Sequence, residues 1–337
     1  ANGDGLAFLW PWRETREAPL MHRPTVPALL PGPRRSALVL FAGAGADMMS
    51  LRENGYDEVT GVELNPTIVE AGLALDAYRL KDFLALDGVR LAVDDGRAFL
   101  ERDRKRYDLV LLSWSGATAA YHLGALAGTT EHMFTHEGLS AAFDRLKPDG
   151  FALVLQISKV NAIDTLRRYM AARGLPAPER SAIILFRPEG VHAWDGPWED
   201  NPLLFKPSGW SEDEVAAILA RATARGYEVA YAPGRPPHPD FTVYERLLTA
   251  ADPAAEIGRI ESETGLRFGA ATDDRPFYLD QFLPSRYLSA EFWGAWRTGF
   301  RSPAEIYHFM RVAAALAVSA AAFALALAPL LLVRRST

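Results

Sequence analysis

Cysteine is absent from this 337-residue chain, which excludes disulfides, Cys-ligated zinc, iron–sulfur clusters and thiol nucleophiles together. Lysine is scarce: only five of the 36 basic residues are Lys (81, 105, 147, 159 and 206), a composition bias and not a phosphate-binding signature. A formal net charge of −6 leaves no basic face or stripe of the kind nucleic-acid binders carry, so nucleic acid is not an expected partner. The apolar run Leu6–Trp10 is too short for the core of a signal peptide, and acidic residues flank it.

What is present is enough apolar sequence, 49%, for one large or two medium domains with a buried core. Charge is unevenly spread: residues 286–337 carry six Arg and two Glu. An acidic body followed by a basic, aromatic tail points to a membrane-facing end. Val312–Val333 is 22 residues long without a charge, although ten are Ala and Pro329 lies inside it. At ~1.5 Å per residue such a helix spans roughly 33 Å, enough for a bilayer core. Before it, Phe292, Trp296 and Phe300 recur at i+4 among Arg297 and Arg301, in the manner of an interfacial amphipathic helix or of one packed on the preceding domain.

Residues 1–35 hold six prolines and no sustained period, so they read as a lead-in. From Ala37 the pattern alternates. Apolar runs at Leu38–Phe41, Val59–Glu63, Val89–Val93, Leu109–Leu112, Phe151–Leu155 and Ala182–Phe186 suit strands buried on both faces. Between them Ile68, Ala71, Leu75 and Tyr78, and then Leu139, Phe143 and Leu146, step at helical spacing. A further strand is expected at Leu203–Phe205. A helix is expected over 211–225, with Ser211 as N-cap and Glu214 completing a capping box. The expected fold is therefore α/β: a doubly wound, mostly parallel, Rossmann-like sheet, with a C-terminal transmembrane helix. The expected divisions are a lead-in (1–35), a catalytic-type domain (36–285), a juxtamembrane segment (286–311) and the membrane span (312–333).

After the first strand comes Ala42-Gly43-Ala-Gly45-Ala-Asp47 and then a helical pattern. Glycine at 43 and 45 permits a sharp turn and close ligand approach, with helix N–H groups aimed at the site. Glu63 ends the second strand, 20 residues after Gly43, where a carboxylate accepts both hydroxyls of a ribose. The third glycine of a dinucleotide fingerprint is lacking; Met48 stands there. That favours an adenosyl-sulfonium ligand, which carries no phosphate. Asp94-Asp95-Gly96 ends the third strand, where a carboxylate either accepts the adenine amino group or caps the next helix.

These residues resemble a family. Gly43-Ala-Gly45, Val62-Glu63, Asp95-Gly96-Arg97-Ala-Phe99-Leu100, Tyr107-Asp108-Leu-Val and Met133-Phe-Thr-His-Glu-Gly-Leu, then Arg145-Leu-Lys-Pro-Asp-Gly150, follow in order the pattern of spermidine synthases. Those are aminopropyltransferases on the class I methyltransferase fold. Asn201-Pro-Leu-Leu-Phe-Lys206, Ser211-Glu-Asp-Glu214 and Thr272-Asp-Asp-Arg-Pro-Phe277 look more like a bacterial membrane-linked branch. The resemblance covers about residues 36–285. It implies that Gly43, Gly45, Asp47, Glu63, Asp95 and Gly96 surround an adenosyl donor, S-adenosylmethionine or its decarboxylated form. It implies a small-molecule acceptor, an amine among the candidates, a bacterial inner-membrane location and a domain facing the cytoplasm. Two departures stand out. The family's fourth strand ends in Asp-Ser-x-Asp-Pro, whose acids hold and deprotonate the attacking amine, whereas this chain has Ser113-Trp-Ser-Gly116-Ala117. The family's acid within the glycine loop falls on Gly45, with Asp47 as partial substitute.

Ser113 and Glu131 are the expected catalytic positions, and Asp273 or Asp274 further sources of an acid. Tyr121 and His122 follow strand four and are candidates to face the pocket. Glu131-His132 and His136-Glu137 offer paired ligand types, but no third ligand is recognisable and no metal is expected. Putrescine is not an expected acceptor. Three functions remain: aminopropyl-type transfer, methyl transfer from S-adenosylmethionine, or non-catalytic sensing of an adenosyl ligand.

Overall fold

The computed structural model describes residues 35–75, 78–113, 132–155, 158–186, 202–264, 267–276 and 316–323. Eight strands form one sheet: β1 (Ser36–Leu40), β2 (Glu58–Glu63), β3 (Val89–Val93), β4 (Tyr107–Leu112), β5 (Leu146–Val154), β6 (Ala182–Phe186), β7 (Leu203–Phe205) and β8 (Glu228–Tyr231). Their spatial order is β3-β2-β1-β4-β5-β7-β6-β8. The helices are α1 (Ala46–Glu53), α2 (Pro66–Ala74), α3 (Leu80–Leu84), α4 (Gly96–Arg102), α5 (His136–Phe143), α6 (Lys159–Ala172), α7 (Glu212–Thr223), α8 (Thr242–Thr249) and α9 (Pro253–Thr264).

The two faces of the sheet follow from the period of a strand. Leu38 and Leu40 of β1, with Val110 and Leu112 of β4, meet buried residues of α4, α5, α6, α8 and α9. Ala37 and Val39, with Leu109 and Leu111, meet those of α1, α3 and α7 on the other side. This is the doubly wound, Rossmann-like arrangement expected. The sheet is parallel only across β1–β5. There the expectation of a mostly parallel sheet needs correction, because β7 runs antiparallel to both β5 and β6, and β8 antiparallel to β6. Strand β8, Glu228-Val-Ala-Tyr231, lacks the continuous run of large apolar residues by which the other strands were read.

The chain winds from β1 out to β3 and returns to β4 on the other side of β1, so the strand order reverses between β1 and β4. That is a topological switch point, whose crevice at the strand C-termini is where open α/β sheets bind ligands. Close packing of α1 on the sheet is achieved from the sheet side. A Cβ on Gly61 of β2 would lie 2.2 Å from the Met48 sulfur. Met48 therefore stands where a glycine was missing because Gly61 makes room for it.

Three local expectations shift. The step from Ile68 to Tyr78 is not one helix: α2 ends at Ala74 and buries Val69 and Gly72. Tyr78 lies beyond it, buried, and its hydroxyl donates to the Ala44 carbonyl at 2.9 Å, which draws the chain back over the glycine loop. Leu146 begins β5 instead of closing α5. Of the expected membrane span only 316–323 is described. It is helical and exposed, including Leu316, Val318 and Phe323. Eight residues make about 12 Å of helix, and among the described residues no helix is long and apolar enough to cross a membrane. The rest of 312–333, the juxtamembrane segment and residues 1–34 lie outside the described residues.

Candidate active site

The glycine loop leaves β1 by extending its ladder one step, with the Ala42 N–H donating to Val62 O at 3.0 Å. Gly43 then adopts φ +55° and Gly45 φ +89°, left-handed conformations that glycine takes without a Cβ penalty. A Cβ at Gly43 would meet nothing within 4 Å, so the space over this turn is open to a ligand.

Glu63, the last residue of β2, is 8% exposed. Its Oε2 accepts the Gly43 N–H at 2.8 Å and its Oε1 the Asn65 N–H at 2.8 Å. The carboxylate thus clamps two loops at once. Each oxygen keeps acceptor capacity after one bond. Beside it stand two side chains that sequence reading passed over: Leu64, 67% exposed, and Val93 at the end of β3, 51% exposed. An apolar residue directly after a strand's terminal acid was the available signal. Both are exposed apolar groups at the ends of adjacent strands.

Asp94 and Asp95 divide the third-strand functions. Asp94 is spent on the Asp95 N–H and on Arg102. Asp95 caps α4, its Oδ1 accepting the Ala98 N–H at 2.9 Å, so the capping reading holds for that oxygen. Gly96 packs against Met133, whose sulfur would lie 3.2 Å from an added Cβ.

Ser113 continues from β4, 6% exposed, with its N–H on Leu40 O at 3.1 Å. It therefore sits beside the end of β1, at the switch point. Its hydroxyl donates to the Asp47 carboxylate from the first turn of α1. Burial pushes the Asp47 carboxyl above the usual carboxylate range, and the Ser113 hydroxyl offsets that only in part. The structure thus brings two of the expected site residues, Ser113 and Asp47, into one hydrogen-bonded pair.

Asp273 is held at the starts of α4 and α5. Arg97 of α4 donates to it at 3.3 and 3.2 Å, and the Thr135 hydroxyl at 2.6 Å. Its own N–H donates to Glu137 at 3.0 Å, and His132 Nδ1 lies 3.6 Å from it. Burial works upward on this carboxyl, but Thr135 and Arg97 together hold it below its ordinary value. The Thr272–Arg275 turn is thereby tied to the starts of α4 and α5, an anchor and not a spare acid. His136 points elsewhere, its Nδ1 buried without a partner among the described residues. Glu131, Tyr121, His122 and Gly116 lie outside the described residues.

Gly43, Gly45, Asp47, Glu63 and Ser113 thus lie together at the C-terminal ends of β1, β2 and β4, with Asp95 and Gly96 following the adjacent end of β3. No family model and no curated protein matches the chain. Among solved structures it is similar to spermidine synthase from Thermotoga maritima, at 12% identity over 70% of each chain and a TM-score of 0.39. A probable spermidine synthase from Corynebacterium glutamicum shows 16% identity over 65% of this chain and 71% of that one, TM-score 0.43. Human methyltransferase-like protein 13, solved with SAH, shows 16% over 59% and 85%, TM-score 0.38. All three scores lie below 0.5, so the functional reading of the crevice rests on strand order and side-chain geometry.

Proposed function

We propose that this chain is a transferase whose donor is an adenosyl-sulfonium compound, S-adenosylmethionine or its decarboxylated form. The observation that carries the reading is Glu63, seated on the glycine turn with acceptor capacity left on both oxygens. The residues fit such a ligand. Vicinal ribose hydroxyls match the two oxygens, Leu64 and Val93 offer a platform for adenine, and the second Asp95 oxygen is within the same strand-end row. Residues 36–51 contain no Lys or Arg, as suits a ligand without phosphates. The bound donor supplies an electrophilic carbon next to a positively charged sulfur, ready for in-line displacement. The chain's residues fix the donor and shelter the crevice between β1 and β4, so rate arises mainly from positioning.

The acceptor is a small molecule, an amine class being favoured by the recessed acid Asp47, and putrescine is a poor one. General-base help is typically worth ~10²–10⁴-fold, and the sequence lacks both acids of the spermidine-synthase strand-four motif. Methyl transfer on the same scaffold, or ligand sensing without turnover, are the competing readings; the missing acids favour the second of them. Membrane attachment, with residues 36–285 facing the cytoplasm where the donor is made, rests on the uncharged stretch 312–333.

Titration calorimetry with S-adenosylmethionine and methylthioadenosine tests the donor. A charged hydrogen bond is worth ~1.5–3 kcal/mol, so Glu63→Ala should weaken both by roughly 10- to 150-fold in Kd. An unchanged affinity removes Glu63 from the site and the proposal with it. Mass spectrometry of the products then separates the readings. Aminopropyl transfer releases methylthioadenosine, methyl transfer releases adenosylhomocysteine, and a sensor releases neither.

A further inference from the structure

Asp47 is poorly explained as a structural residue. It is the acid of the first turn of α1, where a carboxylate ordinarily bonds or faces the free N–H groups of the helix. Here it turns away from them and takes the hydroxyl of Ser113, 66 residues on. The pair lies where β1 and β4 part, since the Ser113 N–H is bonded to Leu40 O at the end of β1. Withdrawing a carboxyl from water onto one neutral partner costs stability, and among the described residues no cationic side chain bonds to it: Ser113 is the side chain that holds it. The other polar groups around it are the Tyr78 hydroxyl, committed to Ala44 O, and Glu63, committed to Gly43 and Asn65. A recessed acid with no cationic partner among the described residues, at the switch point of the sheet, is a place prepared for a positive charge.

We propose that Asp47, positioned by Ser113, is the electrostatic seat for the positive charge at the reacting centre, the sulfonium of the donor. This rests on the adenosyl-donor reading above, which puts the nucleoside over β2 and β3 and its sulfur end toward β1 and β4. The seat keeps its value through a transfer to an amine. As the carbon–nitrogen bond forms and the carbon–sulfur pair passes to sulfur, the positive charge moves to nitrogen beside the same carboxylate. Once the product amine leaves, the neutral thioether has nothing to hold it there, so the seat also favours release of the spent donor. Ser113 serves as a positioning residue, fixing the carboxylate and keeping it ionised to lower pH than burial alone would allow.

S-adenosylmethionine and S-adenosylhomocysteine test this directly, because they differ by one methyl group and one positive charge. Their decarboxylated counterparts differ in the same way and serve as a second pair. Calorimetry on the full chain should show the sulfonium of each bound pair preferred by on the order of tenfold. Asp47→Asn, which keeps an acceptor for Ser113, should abolish that preference and leave the thioether's affinity unchanged. In the wild type the preference should fade as pH is lowered and Asp47 is protonated. Ser113→Ala should move that fading to higher pH, which a merely structural serine would not do. Glu63→Ala should weaken both members of each pair equally. If ligands bind the wild type but the ratio is the same in Asp47→Asn and at every pH, the seat is overturned and the donor reading stands. If no member of either pair binds, the donor reading fails and the seat falls with it. The pH series uses unmodified protein, so the test survives a variant that folds poorly.

Discussion

The β1–β4 wing of the sheet and the β5–β8 wing handle their polar residues in opposite ways. On the first, Glu63 keeps acceptor capacity after clamping two loops, Asp47 is held by the Ser113 hydroxyl, and Leu64 and Val93 stand exposed. On the second, conspicuous polar residues are spent on each other. Lys206 gives two bonds to Glu214, at 2.7 and 2.9 Å, and lies 5.6 Å from the Trp210 ring centre. Arg246 joins Glu256 and Glu263, and Arg167 donates to the carbonyls that end α8. The second wing therefore holds the sheet's edge together, and the first keeps the acceptor capacity on which the proposed ligand site rests. The motifs that gave the sequence its branch-like character, around Lys206, Glu214 and Asp273, fall mostly among the structural ones.

Breaking the structural wing should give the largest effect. Burial alone would raise the Glu214 carboxyl, yet the Lys206 ammonium and the Ser211 N–H bring it below its ordinary range. Lys206 has a side chain only 9% exposed. Glu214→Ala would strand that ammonium and remove half of the capping box at α7. Losing one partner of a buried pair costs about 3 kcal/mol or more, on the order of 10 °C in melting temperature. Differential scanning calorimetry should find that loss, while affinity for methylthioadenosine stays unchanged. A large loss of affinity would mean that the two wings are not independent.

A smaller effect tests how α1 is set on the sheet. Gly61→Ala places a methyl group against the Met48 sulfur and 2.9 Å from the Ala42 Cβ. Overpacking of this kind costs about 1–3 kcal/mol. Because Met48 is a flexible side chain, Met48→Ala in the same protein should recover part of it, and a double-mutant cycle in urea measures the coupling. Additive effects would show that Met48 is not what fills the space beside Gly61.

How much of this was readable beforehand depends on range in sequence. The strands β1 to β4, β6 and β7, the glycine turn, Glu63 and the Ser211–Glu214 box depend on local pattern, and they stand within two residues of where the spacing placed them, whereas β5 begins at Leu146, five residues before the expected Phe151. Strand β8 was missed because Glu228-Val-Ala-Tyr231 lacks the apolar run that marks even the three-residue β7. The reach of Asp47 to Ser113, and of Asp273 to Arg97, depends on residues brought together across 66 and 176 positions, which no local pattern encodes. Leu64 and Val93 were missed for another reason: an apolar residue at a strand end looks like core until the fold shows it exposed.

Asp273 supplies the smallest effect and sharpens the boundary between the two kinds of residue. Held below its ordinary value by Thr135 and Arg97 against the opposing effect of burial, its carboxyl contributes stability that is present above its unfolded value of about 4. That contribution is lost as pH falls through the lower folded value. Its side chain is 40% exposed, so solvent screening keeps the contribution below about 1 kcal/mol. Asp273→Asn should therefore cost little at neutral pH, and the difference from wild type should disappear as pH is lowered below about 4, followed by thermal melts across the acid range. Calorimetry should at the same time find S-adenosylmethionine affinity within about twofold of wild type, because Arg97 and Thr135 can still bond the Asn oxygen. If instead the variant kept its stability profile and lost ligand affinity tenfold, Asp273 would belong to the open wing, and the anchor between α4, α5 and the 272–275 turn would be part of the site.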